Sequence, residues 1–258
     1  MCGRMIVLKS EKEIESIRES CLIVSQTLKR IGRTIRPGMT TGDLNTMAEN
    51  FILSRGGRPA FKGFHGFPCS ICVSIDEEVV HGIPGERRLE EGQLVSVDVG
   101  VEKAGYYGDG AVTFCVGSVS RQKRDLVSVT VKALCEGIAE AREGNRLSDV
   151  SWAIQHYVES HGCSVVRDLV GHGIGKKMHE EPQVPNFGRP GCGPLLKKGM
   201  VLAIEPMVNA GGSEVEIRDD NWTVVTKDRS PSAHFEHTVA VTAAGPRVLT
   251  EFSVEAPC

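Results

Sequence analysis

No stretch of this 258-residue chain is an apolar run long enough to span a membrane, since a spanning helix takes ~20 such residues. The start, Met1-Cys2-Gly3-Arg4, leads into a polar, charged helical pattern rather than an apolar segment, so no signal peptide is expected. No block of Lys and Arg stands out. The 30 basic residues are scattered among 33 acidic ones, and the formal net charge is -3. That balance points away from DNA and from membrane surfaces. The cysteines, at 2, 21, 69, 72, 115, 135, 163, 192 and 258, are odd in number and irregular in spacing. They read as reduced thiols of a cytoplasmic protein. Cys69-Ser70-Ile71-Cys72 has no second pair at finger spacing, and a closed structural zinc site needs four ligands. Gly171 to Gly175 lacks the spacing and the Lys-Ser/Thr of a phosphate loop.

What remains is ordinary globular composition, 40% hydrophobic and 24% charged. Ser10-Glu11-Lys12-Glu13 is a capping box that opens a helix, with Ile14, Ile17, Cys21, Val24, Leu28 and Ile31 at helical spacing behind it. Pro37-Gly38 ends it. A second helix starts near Thr41, carries Leu44, Met47, Phe51 and Ile52 on one face, and stops at Gly56-Gly57. Short β-type runs follow to about Val116. Two more helices are expected near 121–143 and 148–161, and a second set of β-type runs fills the rest.

This order of two helices then strands occurs twice, and residues repeat with it. Arg36-x-Gly38-x4-Asp43-Leu44-x6-Phe51-Ile52-x3-Gly56 returns as Arg142-x-Gly144-x4-Asp149-Val150-x6-Tyr157-Val158-x3-Gly162, at an offset of 106. Gly92-Gln93-Leu94-Val95-Ser96-Val97-Asp98 returns as Gly199-Met200-Val201-Leu202-Ala203-Ile204-Glu205, at an offset of 107. A duplicated unit explains both. The chain is therefore expected to be one domain, 1–258, built of halves of roughly 11–116 and 121–250 that pack about a pseudo-twofold axis. The two carboxylate-ending strands would meet in the cleft between the halves.

Asp98 and Asp109 flank a turn at Lys103-Ala104-Gly105 and are expected opposite each other on antiparallel strands. Facing like charges destabilise a sheet unless a cation lies between them. Glu205 and Glu236 are expected to flank a longer hairpin that turns near Asp219-Asp220-Asn221. Four converging carboxylates suit two divalent cations, which would clamp and polarise a water. Histidines would complete such a site. His172, between glycines in Gly-His-Gly-Ile-Gly, implies a close backbone approach. His81 and His179 lie in Val-Val-His-Gly-Ile-Pro and Met-His-Glu-Glu-Pro, and the other histidines read as ordinary surface or core residues.

The segments His-Gly-Ile-Pro, Val-Asp-Val-Gly, Gly-Asp-Gly-Ala-Val-Thr-Phe, Gly-His-Gly-Ile-Gly, His-Glu-Glu-Pro, Ile-Glu-Pro-Met and Phe-Glu-His-Thr, in order over residues 81–238, resemble those of the type I methionine aminopeptidases. The flanking helices fit as well. The resemblance implies the pita-bread α/β (α+β) fold, with two related halves of antiparallel sheet flanked by helices. It implies hydrolytic removal of an N-terminal methionine ahead of a small second residue, by a water activated between two metals. Asp98, Asp109 and Glu236 would hold one metal. Asp109, His172, Glu205 and Glu236 would hold the other. Glu205 would also move a proton, His179 would bond the carbonyl oxygen, and His81 would contact the scissile nitrogen. Phe64, Phe67, Cys72, Met178 and Trp222 would surround the methionine side chain, a soft wall for a thioether. Many relatives carry an aromatic residue in place of Met178 and Tyr in place of Phe64, Phe67 and Phe235, so the wall here lacks hydroxyls.

Mixed carboxylate and imidazole ligands suit Co, Mn, Fe, Zn or Ni. Partners implied are nascent polypeptides, with ribosome association, no DNA and no membrane, and the enzyme is expected to be a monomer. The chain's own Met1-Cys2 start has the small second residue this specificity requires. A proline-directed aminopeptidase or dipeptidase of the same fold usually carries an extra N-terminal domain, and only about ten residues precede the first helix here. A non-catalytic binding module of this fold would have lost ligands that this chain retains.

Overall fold

The computed structural model describes residues 5–251. Met1 and Cys2 lie outside them. Helices α1 (Glu11–Gly32) and α2 (Thr41–Ser54) precede β1 (Arg58–Pro59), β2 (Cys72–Ile75), β3 (Glu78–Val80), β4 (Leu94–Lys103) and β5 (Tyr106–Cys115). Helices α3 (Arg121–Glu140) and α4 (Leu147–Ser160) precede β6 (Ser164–Val165), β7 (Val170–Gly173), β8 (Glu180–Pro185), β9 (Val201–Ile204) and β10 (Met207–Asn209). Strands β11 (Val215–Ile217), β12 (Val224–Thr226), β13 (Ser232–His234), β14 (Glu236–Thr242) and β15 (Gly245–Val248) complete the chain. Among the described residues no helix is long and apolar enough to cross a membrane.

Each helix begins where its sequence supplies a cap. The Ser10 hydroxyl accepts from the Glu13 amide while the Glu13 carboxylate accepts from the Ser10 amide, which satisfies two otherwise unpaired donors of the first turn. Thr40 and Asp43 do the same for α2. Helix α3 ends three residues before the expected boundary, because Ala141 leaves helical geometry and the Arg142 amide turns back to the Glu140 carbonyl.

The main sheet is antiparallel and curled, in the order β1-β4-β5-β14-β9-β7-β8, with β2 also on β4 and β15 on β14. Strand alternation separates two faces. Val95, Val97, Val99 and Val101 of β4 join the core under α1 and α2, while Ser96, Asp98 and Gly100 lie on the opposite face. Leu126, Val127, Val131 and Leu134 of α3 and Val150, Ile154 and Val158 of α4 bury their apolar stripes in the same core. Burying each such side chain contributes roughly 1.5–3 kcal/mol relative to leaving it in water.

The residue repeat extends to hydrogen bonds. The Gly38 amide donates to the Leu89 carbonyl and the Gly144 amide to the Leu196 carbonyl. Thr41 donates to Arg87 as Leu147 does to Pro194, and Leu89 donates to Met39 as Leu196 does to Asn145. The partners on the left recur on the right at the same offsets of 106 and 107 that relate the sequences. Strands β4-β5 and β9-β14 meet at the junction of β5 with β14, so the sheet reads alike from either side of that junction.

Three sequence expectations change. Asp98 pairs with Ala111, and Asp109 with Gly100, so the two aspartates are diagonal neighbours on one face rather than directly opposed. The reason is the two-residue turn: Ala104 (φ 52°) and Gly105 (φ 82°) both take left-handed geometry, which sets Lys103 against Tyr106 and fixes every pair behind it. Glu205 and Glu236 do lie at the ends of neighbouring strands, with Ile204 paired to His237, but the chain between them is no hairpin. It builds two further three-stranded sheets, β13-β10-β6 and β11-β12-β3, and Asp219-Asp220-Asn221 is only the tip of β11-β12. Finally, Cys21, Cys69, Cys72, Cys135, Cys163 and Cys192 are free thiols, whereas Cys115 is disulfide-bonded, against the expectation of reduced thiols throughout.

Candidate metal centre

Five adjacent strands deliver one polar group each to the same face of the sheet. Asp98 comes from β4, Asp109 from β5, Glu236 from the start of β14, Glu205 from just past β9, and His172 from β7. Register explains their convergence. Cys72 pairs with Asp98, Asp98 with Ala111, and Ala111 with Glu236, which makes one row across four strands. Gly100 pairs with Asp109 in the next row, and Ala203 pairs with His172. The small residues between the acids leave the space above the row open.

The glycines flanking His172 serve the close approach anticipated from sequence. A Cβ at Gly171 would sit 2.4 Å from the Ala203 carbonyl oxygen, and one at Gly173 would sit 2.2 Å from that of Glu181. His172 Nδ1 lies 2.9 Å from the Gly173 carbonyl. A carbonyl only accepts, so Nδ1 carries the proton and Nε2 keeps its lone pair. That Nε2 faces Asp109 Oδ2 at 3.7 Å and Glu205 Oε1 at 3.6 Å. Burial, with the nearby His179, lowers the His172 pKa to about 3, so the ring is neutral and these contacts are not ion pairs.

The carboxylates are in the reverse state. Burial, eased by a hydrogen bond from Asp109, raises the Asp98 pKa to about 7. Burial and then the charges of Asp98 and Glu205 push Asp109 well above the carboxylate range. Burial and the neighbouring acids do the same to Glu205 and Glu236. Asp98 Oδ1 and Glu236 Oε1 are buried with no hydrogen-bond partner. Buried acceptors without donors are costly, as are gathered like charges, and a cation relieves both. Ligand atoms of Asp109, His172 and Glu236 lie within 4.8 Å of one another, close enough to share an ion. The donor set, oxygen with one imidazole nitrogen whose second nitrogen is anchored to a carbonyl, fits a divalent transition metal.

These residues line one cavity of about 1030 Å³. His81 and His179 stand at its side. His81 takes left-handed backbone geometry (φ 60°), and burial with the neighbouring His179 lowers its pKa. The His179 ring meets the His172 ring edge-on at 4.2 Å and the Phe64 ring at 5.2 Å, and its pKa is lowered by burial and by His65. An apolar wall rises from Cys72, beside Asp98, through Phe67 and Trp222, whose rings meet edge-on at 5.1 Å. Burial, with the Asp98 and Asp109 charges, keeps the Cys72 thiol protonated.

Phe64, Phe67, Cys72 and Trp222 thus line the same cavity as the metal-type donors. Met178 does not. It is buried and absent from the cavity lining; its Cε and the Phe61 ring both lie against Gly100, and Phe61 lines the cavity. Phe61 carries no motif that would have singled it out. His234 was also missed. It lines the cavity fully buried, its Nε2 has no hydrogen-bond partner, and it lies 3.8 Å from Glu205 Oε2. Its place two residues before Glu236, on the strand leading into the site, was the available signal.

A curled antiparallel sheet that buries carboxylates and an imidazole at the floor of a deep cleft defines a metal-dependent hydrolase. Residues 15–243 match metallopeptidase family M24, and the chain belongs to that family. It is 51% identical over 246 residues to a methionine aminopeptidase of Clostridium perfringens, across 95% of this chain and 99% of that relative. The crystal structure of methionine aminopeptidase from Rickettsia prowazekii superposes with a TM-score of 0.95 at 42% identity, over 96% of this chain and all of that one. The prolidase from Pyrococcus furiosus shares the pita-bread fold (TM-score 0.78) at 22% identity, and this chain spans 66% of it.

Proposed function

We propose that the chain is a methionyl aminopeptidase: one catalytic domain of two related halves that hydrolyses the N-terminal methionine from peptides and nascent chains with a small second residue. The observation that carries this reading is the joining of two features in one cavity. Five metal-type donors converge on its floor, and an apolar wall with a thiol adjoins Asp98 directly. Two divalent cations are proposed, one held by Asp98, Asp109 and Glu236, the other by Asp109, His172, Glu205 and Glu236. When bound there, they supply Lewis acidity toward water and toward a carbonyl oxygen.

The chain's own groups do the rest. The methionine side chain lies along Phe64, Phe67, Cys72 and Trp222, with Phe61 beside them, and its free α-amine points among the carboxylates. That polarity restricts cleavage to chain ends. Glu205 takes the proton of the attacking water and returns it to the leaving amine. His179 donates a hydrogen bond to the scissile carbonyl oxygen as charge develops on it. His81 meets the scissile nitrogen. Lowered pKa values leave both imidazoles neutral, so each offers one N–H.

Nascent chains as substrates support a cytoplasmic enzyme working near ribosomes, and a monomer is proposed with it. The decisive assay compares Met-Ala-Ser, Leu-Ala-Ser, Met-Leu-Ser and an Xaa-Pro peptide, with added Mn or Co and with chelator. Only Met-Ala-Ser should turn over well, and chelation should abolish it. Equal rates on the first three, or preference for the Xaa-Pro peptide, would overturn the assignment.

A further inference from the structure

One surface carries five basic residues, four from a short run of the sequence and a fifth that the fold brings beside them. Lys29 and Arg30 lie in the last turn of α1, Arg33 caps it, Arg36 follows, and Arg55 caps the C-terminus of α2. All five are exposed. Among the described residues none of the five has a carboxylate within ion-pair distance; the same holds for dispersed cations such as Lys12, Lys132 and Arg189, but here all five share one surface. Between them runs a groove of about 390 Å³ lined by Gln26, Lys29, Arg30, Arg33, Thr34 and Phe51. The Arg30 guanidinium lies 5.6 Å from the Phe51 ring centroid and that of Arg55 5.3 Å from the same ring. Arg55 Nε also donates to Gln26 Oε1 at 3.1 Å, which ties the second helix to the groove.

Helix C-termini attract cations, each favourable by only a few tenths to about 1 kcal/mol. That accounts for one or two of these side chains. It does not account for five, drawn from two helices and a loop, in a chain whose net charge is -3. Such an excess is matched by a ligand carrying several negative charges. Two planar guanidiniums on one aromatic ring add a stacking surface, the feature that single-stranded RNA sites combine with phosphate contacts.

We propose that this groove binds single-stranded RNA, with phosphates held by Lys29, Arg33 and Arg36 and an unstacked base against Arg30, Phe51 and Arg55. An anionic membrane fits less well. The surface is concave, and its aromatic ring is half-buried beneath cations rather than protruding toward an acyl layer. The groove shares no lining residue with the metal cavity, so this site stands independently of the proposed reaction.

The test is fluorescence anisotropy of the full chain with a short fluorescein-labelled single-stranded RNA, titrated at several salt concentrations. Binding should saturate and weaken with salt, log K falling by about 0.7 per phosphate contacted for each tenfold rise in salt. Arg30→Glu with Arg33→Glu should weaken binding at least about tenfold while kcat/KM on Met-Ala-Ser stays unchanged and circular dichroism shows the chain still folded at the assay temperature. Phe51→Ala should weaken binding with the salt slope unaltered. No binding at low salt would overturn the proposal. So would equal loss on reversing Arg189 and Lys197, which lie outside the patch, or retention by phosphatidylglycerol vesicles without retention by RNA.

Discussion

Lys9 and Glu180 form a buried ion pair, Nζ to Oε2 at 2.7 Å, with side chains 4% and 11% exposed. It ties the segment before α1 to the loop that carries His179. Lys9 Nζ also donates to the Val7 carbonyl, its amide donates to Gly199, and the other Glu180 oxygen accepts from the Lys177 amide. Removing one partner strands a buried charge, so Lys9→Met should cost about 3 kcal/mol. Adding Glu180→Gln should restore much of that loss, because the stranded charge is gone. Urea denaturation of the single and double variants checks this. An additive double variant would show that the pair is not coupled.

Gly171 lies where β7 crosses closest to β9. A methyl group there meets the Ala203 carbonyl oxygen at 2.4 Å and Glu205 Cγ at 3.2 Å, and the first of these is backbone that cannot swing aside. Gly171→Ala should therefore part the two strands, cost about 1–3 kcal/mol, and move His172 away from Asp109 and Glu205. Metal titration should show weakened binding along with the lost stability. Unchanged affinity would mean that β7 can shift without carrying His172.

Much of this was legible in the residues. Ser10 and Glu13 announced α1, and Ala104-Gly105 announced the β4-β5 turn. The diagonal placing of Asp98 and Asp109 was not read, because a turn placed at Lys103-Ala104-Gly105 leaves the register open by one residue. Once the turn is Ala104-Gly105, counting outward from Lys103 and Tyr106 pairs residue 98 with 111. The path from Glu205 to Glu236 was not legible, because short strands such as β10 and β13 give no periodic signal and their partners are remote. That Phe61 lines the cavity and Met178 does not was hidden for a similar reason. Which of two apolar side chains faces a cavity depends on the tertiary packing at Gly100, and no local pattern encodes it. The basic groove escaped because Arg55 reaches Gln26 only when α2 folds back on α1.

His81 and His179 border the metal cluster without belonging to the ligand set proposed for it. His81→Ala and His179→Ala should each retain full metal content and near-native stability while kcat falls about 100-fold or more. His172→Ala should instead lose metal as well as activity. Elemental analysis beside steady-state kinetics separates the two patterns. Wild-type turnover in either of the first two variants would remove that histidine from the mechanism.

Metal binding should be tied to protons, with a direction set by the acids. In the metal-free chain burial raises Asp98 to a pKa of about 7, and burial with the neighbouring acids raises Asp109, Glu205 and Glu236 well above the ordinary carboxylate range. The folded state thus holds protons that the unfolded chain has already released, so these groups favour folding at low pH and that advantage is lost as pH rises. His172 and His234 act oppositely. Burial lowers them from 6.5 to about 3, lowers His237 to about 4 and lowers His81 and His179 as well, so their cost grows as pH falls from about 7.5 downward. Above about pH 7.5 the unfolded histidines are almost fully neutral as well, so from there to about pH 8.5 the histidine contribution is nearly flat and the carboxyls set the slope. Across that window the chelated protein should lose stability as pH rises, and the increment conferred by Mn or Co should grow. Calorimetric titration in two buffers of different ionisation enthalpy should show at least about one proton released per chain near pH 6.5, because the carboxyls must ionise to bind metal. An increment independent of pH, or no proton release, would mean that these four acids do not hold the metal.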